Sequence, residues 1–265
     1  MSLDISGLLN DWKYQPNRMQ ARLIEGDDGR GKLQIRLDLG LFQLELDGRP
    51  DGQRPEGAES LLDHLEIVFN DLDSSDSLAA EQLGELMREG VQYYNRYMAL
   101  FTLGEYDRVA RDTDRNLRLF RFVGAHVESR RDHWAFEQYR PFVTMMHGRA
   151  LGEKALRDGK PSLALRLIDE AMEEIHVFFR EHNQEKSIGE SAELNFLRNW
   201  REEIEERPTS NALDRLEEQL SNAVALEDFE EAARLRDQLR ILRLTTLTQP
   251  ATEPDPDEEQ KDHGE

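Results

Sequence analysis

The spacing of apolar residues changes once along this chain, and the change separates a short β region from a long helical one. Within residues 19–47 apolar and polar side chains alternate, which is typical of half-buried strands. The alternation is clearest in "KLQIRLDL" and "FQLELD", where the apolar positions are Leu33, Ile35, Leu37, Leu39, Phe42, Leu44 and Leu46. We predict a three-stranded antiparallel meander with one apolar face, which a helix must cover.

Beyond the Gly- and Pro-rich segment 48–60 the apolar spacing becomes helical. One predicted helix ends at Gly104, and a second spans about 106–123. The stripe predicted to face the core in the first helix consists of Leu83, Met87, Val91, Tyr94 and Met98. In the second helix it consists of Val109, Leu117 and Phe120. The chain is therefore expected to be mostly α, with a small β part.

Residues 150–177 predict a pair of helices that is broken at Gly159. Five apolar residues are placed to meet across the pair: Leu151, Ala155, Leu163, Leu167 and Ala171. The spacing resembles a tetratricopeptide repeat, whose small or apolar positions would be Leu151, Gly152, Ala155, Gly159, Ala164, Ile168 and Ala171. The usual late Pro is missing, and a looser echo at 103–109 lies too far away to form a regular array.

Five regions follow from these patterns. They are a β-meander region (1–58), a tetratricopeptide-like helical body (59–182), a connector with a linking helix (183–208), a helical hairpin (209–243) and an acidic tail (244–265). The last 17 residues hold seven acidic side chains against one Lys and no large apolar group. Such a composition cannot bury enough apolar surface to fold, so we expect disorder in the tail.

The charge balance limits the partners that the chain can have. Its 55 acidic and 34 basic residues give a net charge of −21, which repels phosphate backbones and anionic lipid at long range. Nucleic acid is therefore disfavoured, and membrane binding is not expected. The absence of cysteine excludes disulfides and thiolate zinc sites. With no apolar run long enough for a membrane span and no signal peptide, a cytoplasmic location is expected.

Motifs for catalysis are weak. "GDDGRGK" at 26–32 has the spacing of a phosphate-binding loop, but Leu33 replaces the hydroxyl residue and a strand follows where a helix is needed, so a hairpin turn is favoured. The seven histidines lack the spacing that places two ligands on one helical face. We expect no metal, no cofactor and no enzymatic activity. An enzyme in the region 19–180 would need a pocket of convergent polar groups.

Four arginines recur at helical spacing in the second predicted helix: Arg108, Arg111, Arg115 and Arg118. This spacing stacks their guanidinium groups along one side of the helix, which could bind an anionic ligand. The favoured alternative is that neighbouring carboxylates neutralise the row, because charge runs are usually solvated faces.

The segment 209–242 carries two helix-start signals and a short join. Asn211 with Asp214, and Asp228 with Glu231, are spaced like capping boxes and predict helices that start at Ala212 and Phe229. Because the join between the two helices is short, they must lie antiparallel. The inward stripe of the second helix is predicted to consist of Phe229, Ala232 or Ala233, Arg236, Leu239 and Leu242. About 31 residues bury little surface, so such a hairpin needs a second pair of helices.

"ALDRLEEQLSNAVALEDFEEAARLRDQLRIL" resembles the UVR motif, the helical hairpin of the UvrB and UvrC repair subunits and of several stress regulators. The residues on pattern include Leu216, Ala223, Leu226, Phe229, Glu230, Ala232, Ala233, Leu235, Arg236 and Asp237. The preceding region, with "IRLDLGLFQLELDGRPDG", is similar to bacterial UVR-motif proteins of unassigned function. The resemblance implies pairing with another hairpin, with the residues at Phe229 and Glu230 in contact. Helicase motifs, a nuclease domain and Cys-x-x-Cys pairs are missing, so those activities are not implied.

The first hypothesis is a non-enzymatic adaptor that pairs with itself, as a homodimer, or with a partner protein. Its expected contact residues are Phe229, Glu230, Ala232, Ala233, Arg236 and Leu239. The alternative is a nucleic-acid-associated factor in DNA repair or stress regulation that uses the row from Arg108 to Arg118.

Overall fold

The structure is a computed structural model of the chain. It describes residues 4–71, 77–206, 216–217, 219–221, 223–224, 226 and 228–247. Contacts divide the chain into two compact units, 1–202 and 203–265. The five predicted regional boundaries stay predictions.

The first unit begins with a short helix and a small sheet. Helix α1 (Ser6–Asp11) precedes β1 (Gln20–Glu25), β2 (Gly31–Leu37) and β3 (Gly40–Glu45). The strands pair antiparallel in the order β1-β2-β3, which confirms the predicted meander. Helix α3 contacts β1 and β2 and so covers the sheet.

The predicted single apolar face of the sheet needs two corrections. Leu39 is 91% exposed, because β2 ends at Leu37 and the following residues make the turn to β3. The second face of β2 is also buried, through Lys32, Gln34 and Arg36. These polar groups find partners there: Gln34 bonds to Arg22 and Gln43, and Arg36 donates to the carbonyl of Trp12.

The rest of the first unit is mainly helical. Short 3₁₀ segments lie at Pro55–Gly57, before the second helix, and at Glu185–Glu190, between the last two helices of the unit. The helices are α2 (Leu61–Asp71), α3 (Ala80–Thr102), α4 (Tyr106–His126), α5 (Arg130–Glu137), α6 (Arg140–Arg157), α7 (Pro161–Glu181) and α8 (Ala192–Glu205). Helix α3 packs on α4, α4 on α6, and α6 on α7. Gly104 and Gly159, with φ of 72° and 71°, end α3 and separate α6 from α7 as the sequence predicts.

The stripe predicted for α3 is rotated in the structure. Val91 and Tyr94 are 49% and 41% exposed, whereas the buried face includes Leu86, Tyr93 and Tyr97. The buried face also carries the charged residues Glu89 and Arg96, although such side chains normally face solvent. Their burial turns the helix away from the predicted orientation.

A close approach fixes the α6–α7 pair. A Cβ added at Gly148 would lie 2.5 Å from the Cβ of Ala171, and one added at Gly152 would lie 2.6 Å from a ring carbon of Trp200. Glycine at these two positions therefore lets α7 and α8 reach the backbone of α6.

Candidate functional site

The described part of the second unit contains two antiparallel helical arms. Helical positions within 216–224 form the first arm, and α9 (Phe229–Leu247) forms the second. At the join, the amide of Asp228 donates to the carbonyl of Ala223 at 2.9 Å. At the far end, Arg243 Nη2 donates to Glu217 Oε1 at 2.7 Å. Contacts at both ends establish the predicted hairpin.

Helix α9 starts with a side-chain cap. The carboxylate of Asp228 accepts from the amide of Glu231 at 3.1 Å, and its carbonyl accepts from the amide of Ala232 at 3.0 Å. Its negative charge also lies at the positive end of the helix dipole. The predicted start of this helix is confirmed, whereas the pair formed by Asn211 and Asp214 lies outside the described residues.

The inward face of α9 differs from the predicted stripe. Ala232, Leu235 and Leu239 are buried, and Ala223, Ala232 and Leu235 form a cluster against which Leu216 and Leu220 pack. Phe229 and Arg236 were predicted on this face, but both are exposed. Leu235 lies at the centre of the observed inward stripe. It follows Ala232 by three residues and precedes Leu239 by four, and residues at these spacings share one face of a helix.

The outward face carries large apolar side chains next to the join. Phe229 is 72% exposed, Leu226 80% and Val224 54%, and Ile241 farther along α9 is 63% exposed. Isolated exposed apolar residues are common, but three exposed apolar residues within six positions concentrate apolar surface near the join. Apolar surface concentrated at a helix join is suited to contact with another protein.

The predicted contact residues divide into two groups in the structure. Phe229, Glu230, Ala233 and Arg236 are exposed, so each is available to a partner. Ala232 and Leu239 are buried at 9% and 4% exposure. The side chains of these two pack inside the fold of the single chain, and their predicted contact with a partner stays a prediction.

The row of arginines on α4 is paired with carboxylates. Arg108 and Arg111 both bind Asp47 Oδ1 at 2.7 Å. Burial acts to raise the pKa of Asp47, but hydrogen bonds from Arg111 and Arg108 outweigh it, so the pKa is lowered. The two arginines therefore hold the segment after β3 against α4.

The other two arginines of the row also have acidic partners. Arg115 is buried and donates to the carboxylate of Glu89, and its guanidinium lies 4.2 Å from the centre of the Tyr93 ring. Arg118 pairs with Asp63 and Glu66 on α2. This arrangement is the one expected if neighbouring carboxylates neutralise the row.

Sequence reasoning missed the buried network beside this row. Arg96 binds Asp112 through two hydrogen bonds of 2.6 and 2.8 Å, and its third nitrogen donates to the carbonyls of Glu45 and Gly48. Glu89 accepts from the amides of Leu61 and Leu62. A sequence signal did exist, since Glu89 and Arg96 interrupt the apolar face of α3.

The glycine-rich segment between β1 and β2 forms a hairpin turn. The amide of Gly26 donates to the carbonyl of Arg30 at 2.8 Å. Asp28 accepts from Lys32 at 2.8 Å, and Lys32 also binds Glu45. The lysine of the apparent phosphate motif is thus engaged by two carboxylates, as the hairpin interpretation expects.

The described residues contain neither a cluster suited to a metal ion nor a helix suited to a membrane. Among these residues there is no group of three or more His, Asp or Glu side chains placed to hold a metal ion. Within the same part of the chain, no helix has the length and apolarity that crossing a membrane requires.

Comparison with known proteins identifies the hairpin segment. Residues 210–244 match the family described as the UvrB/uvrC motif, which confirms the resemblance seen in the sequence. The match does not extend to the α6–α7 pair, so the tetratricopeptide resemblance has no support. No curated protein and no solved structure matches the chain.

Proposed function

We propose that this protein is a non-enzymatic adaptor that associates with another protein chain through the hairpin of residues 210–244. The UVR motif mediates protein interactions, also in settings related to DNA repair. The observation that carries the proposal is the exposure of Phe229, at 72%, in the first turn of α9. An exposed aromatic side chain in the first turn of a capped helix is a typical interface anchor.

The small interior of the hairpin supports the same proposal. Its cluster consists of Ala223, Ala232 and Leu235, with Leu216 and Leu220 packed against it. Two of the three central residues are alanines, which bury little apolar area. A second hairpin on the outward face would bury Leu226 and Phe229 and complete a four-helix core.

The outward face of α9 has the symmetry that self-pairing requires. Glu230, Ala233, Asp237 and Arg240 are exposed and recur at i, i+3, i+7 and i+10, so they lie along one side of the helix. If two copies of α9 align antiparallel about Leu235, Glu230 of each copy lies opposite Arg240 of the other. The same register places Phe229 opposite Ile241. The face is therefore complementary to itself in charge and in apolar contact.

Charge reversal tests this register in the full chain. Light scattering should give a dimer mass for the native protein, and either Glu230→Arg or Arg240→Glu should weaken the dimer about tenfold, because like charges then face each other. The double variant restores opposite charges and should recover most of the affinity. Recovery in the double variant is specific to this antiparallel pairing.

A charge control and two alternative outcomes complete this test. Glu174→Arg, on an exposed position of α7, changes the net charge equally and should leave the dimer unchanged. If the native mass is that of a monomer but a protein captured by pull-down is lost with Phe229→Ala, the partner is a different chain. A monomer that captures no protein, or captures it equally well with Phe229→Ala, contradicts the proposal.

The nucleic-acid alternative has less support, because the arginines from Arg108 to Arg118 are paired with carboxylates. This alternative predicts that the protein binds nucleic acid and that the salt dependence of this binding decreases when Arg108 and Arg111 are replaced. No binding at about 50 mM salt would end this alternative.

A further inference from the structure

The first unit contains an apolar pocket that the hairpin proposal does not use. It lies among α3, α4, α5 and α6 and has a volume of about 410 Å³. Val91, Tyr94 and Tyr97 of α3 line one wall, and Leu119, Phe136 and Tyr139 contribute to the rest. The volume is within the range of about 300 to 1,000 Å³ that is typical of small-molecule sites.

The wall of the pocket is uncharged. None of its lining residues, all of which are described, is Asp, Glu, Lys, Arg or His. This is notable in a chain in which 34% of residues are charged. A charged group placed against this wall would lose hydration without gaining an ionic partner, so the lining favours an uncharged ligand.

Aromatic rings shape the pocket. The rings of Tyr94 and Tyr97 meet edge to face at 5.5 Å, and the ring of Phe142 lies 6.3 Å from that of Tyr94. Phe142 also lines the pocket. Flat rings held at an angle leave faces and edges against which another aromatic ring can pack.

Three large side chains at the pocket are unusually exposed. Val91, Tyr94 and Tyr139 are 49%, 41% and 50% exposed, although all three belong to the wall. Apolar groups left open to water around one concavity are a feature of ligand sites. A bound molecule would cover all three at once.

The hydroxyl of Tyr97 is a polar group in the wall of the pocket. Tyr97 is 1% exposed, and in the described part of the chain its hydroxyl forms no hydrogen bond. Burial raises the pKa of Tyr97, so the hydroxyl keeps its proton and can donate. Since Tyr97 lines the pocket, an acceptor on a bound ligand can receive a hydrogen bond from this hydroxyl.

We propose that this pocket binds a small uncharged molecule that has an aromatic ring and a hydrogen-bond acceptor for the Tyr97 hydroxyl. The ring packs among Tyr94, Phe142 and Tyr139, while the acceptor reaches Tyr97. The volume of the pocket favours a small molecule over a helix or a strand of a partner protein. The site depends on the first unit alone and is independent of the hairpin.

The neutral naphthyl ketone prodan is a suitable probe, since it combines an aromatic ring system with a carbonyl acceptor. Titration of the full chain should show saturable binding of one molecule per chain, with emission shifted to shorter wavelength. Val91→Arg, at the exposed edge of the pocket, should weaken binding at least tenfold. Ile67→Arg is the matched control: Ile67 is a 61% exposed β-branched residue on α2, outside the pocket, and its replacement should leave binding unchanged.

Tyr97→Phe tests the hydrogen bond separately. It should weaken prodan about two- to tenfold, but it should not affect 2-dimethylaminonaphthalene, which lacks the ketone. Equal loss for both probes would contradict the assigned role of the hydroxyl.

Three results would overturn the site. One is unchanged prodan binding by Val91→Arg. Another is competition by decanoate as strong as that by a neutral naphthyl ketone, which would indicate an acyl-chain site. The third is a dimer that prodan and Val91→Arg both dissociate, which would make the pocket an interface between copies.

Discussion

Arg96 and Asp112 form a two-pronged ion pair in which both side chains are 1% exposed. The pair joins α3 to α4, and Arg96 also donates to the carbonyls of Glu45 and Gly48. Because two oxygens of the carboxylate and three nitrogens of the guanidinium are hydrogen-bonded, neither charge is left unpaired. The pair therefore links both helices to the segment that follows the sheet.

Removing one partner of this pair should be strongly destabilising. Asp112→Leu leaves the guanidinium of Arg96 buried without its counter-charge, and we expect a loss of about 3 to 5 kcal/mol in the free energy of unfolding. The double variant Arg96→Met with Asp112→Leu removes both charges and should be markedly more stable than the single variant. Urea denaturation measures both values.

The control for this experiment is an exposed pair. Arg180 and Glu173 are 51% and 64% exposed, and Glu173→Gln should change the free energy of unfolding by less than about 1 kcal/mol. A loss below about 1 kcal/mol for Asp112→Leu would show that the buried pair is not important for stability.

Two helical glycines should respond to alanine in opposite directions. Gly148→Ala places a Cβ 2.5 Å from that of Ala171, so α6 and α7 must separate, at a cost of about 1 to 3 kcal/mol. Gly84→Ala meets only the end of the Arg88 side chain at 3.8 Å and should stabilise α3 by about 0.5 to 1 kcal/mol. Thermal unfolding of the two variants checks the signs. Similar changes in the same direction would contradict the close approach.

Local signals account for the parts of the fold that the sequence predicts. The meander follows from alternation in 19–47, the ends of α3 and α6 from Gly104 and Gly159, and the start of α9 from the Asp228 cap. Each of these depends on residues that are close in sequence. The hairpin was also recognisable because its motif is contiguous.

Long-range pairing accounts for what was missed. Charged residues are normally assigned to solvent, and the predicted inward face of α3, which contains Val91 and Tyr94, includes neither Glu89 nor Arg96. Their partners, Arg115 and Asp112, lie on another helix, and no local pattern announces them. The pocket at Tyr97 could not be predicted for the same reason, since four helices contribute to its wall.

The contribution of Asp47 to stability should depend on pH. Its pKa in the folded protein is lower than the ordinary value of 3.8, so its contribution is present above that pH and is lost as the pH falls through the lowered pKa. Its carboxylate is 74% exposed, and we expect Asp47→Asn to cost about 0.5 to 1 kcal/mol at pH 7. The difference between native protein and variant should diminish below about pH 3.8.

Urea denaturation at pH 7 and near pH 3 measures this difference. Asp27→Asn is the control, because Asp27 lies in the exposed turn between β1 and β2 and should cause no change at either pH. A difference for Asp47→Asn that persists undiminished at pH 3 would rule out the ion pair as its cause.

The cap of α9 should determine how well the proposed interface is held. Asp228→Ala removes the acceptor for the amide of Glu231 and should cost about 1 kcal/mol locally, which corresponds to about fivefold faster hydrogen exchange at the first amides of α9. Asp228→Asn keeps an acceptor and should exchange nearly as the native protein does. Asp237→Ala, exposed within the same helix, is the matched control.

Because Phe229 and Glu230 lie in the first turn, Asp228→Ala should also weaken association by a similar factor. Faster exchange without weaker association would indicate that the first turn of α9 is not part of the interface.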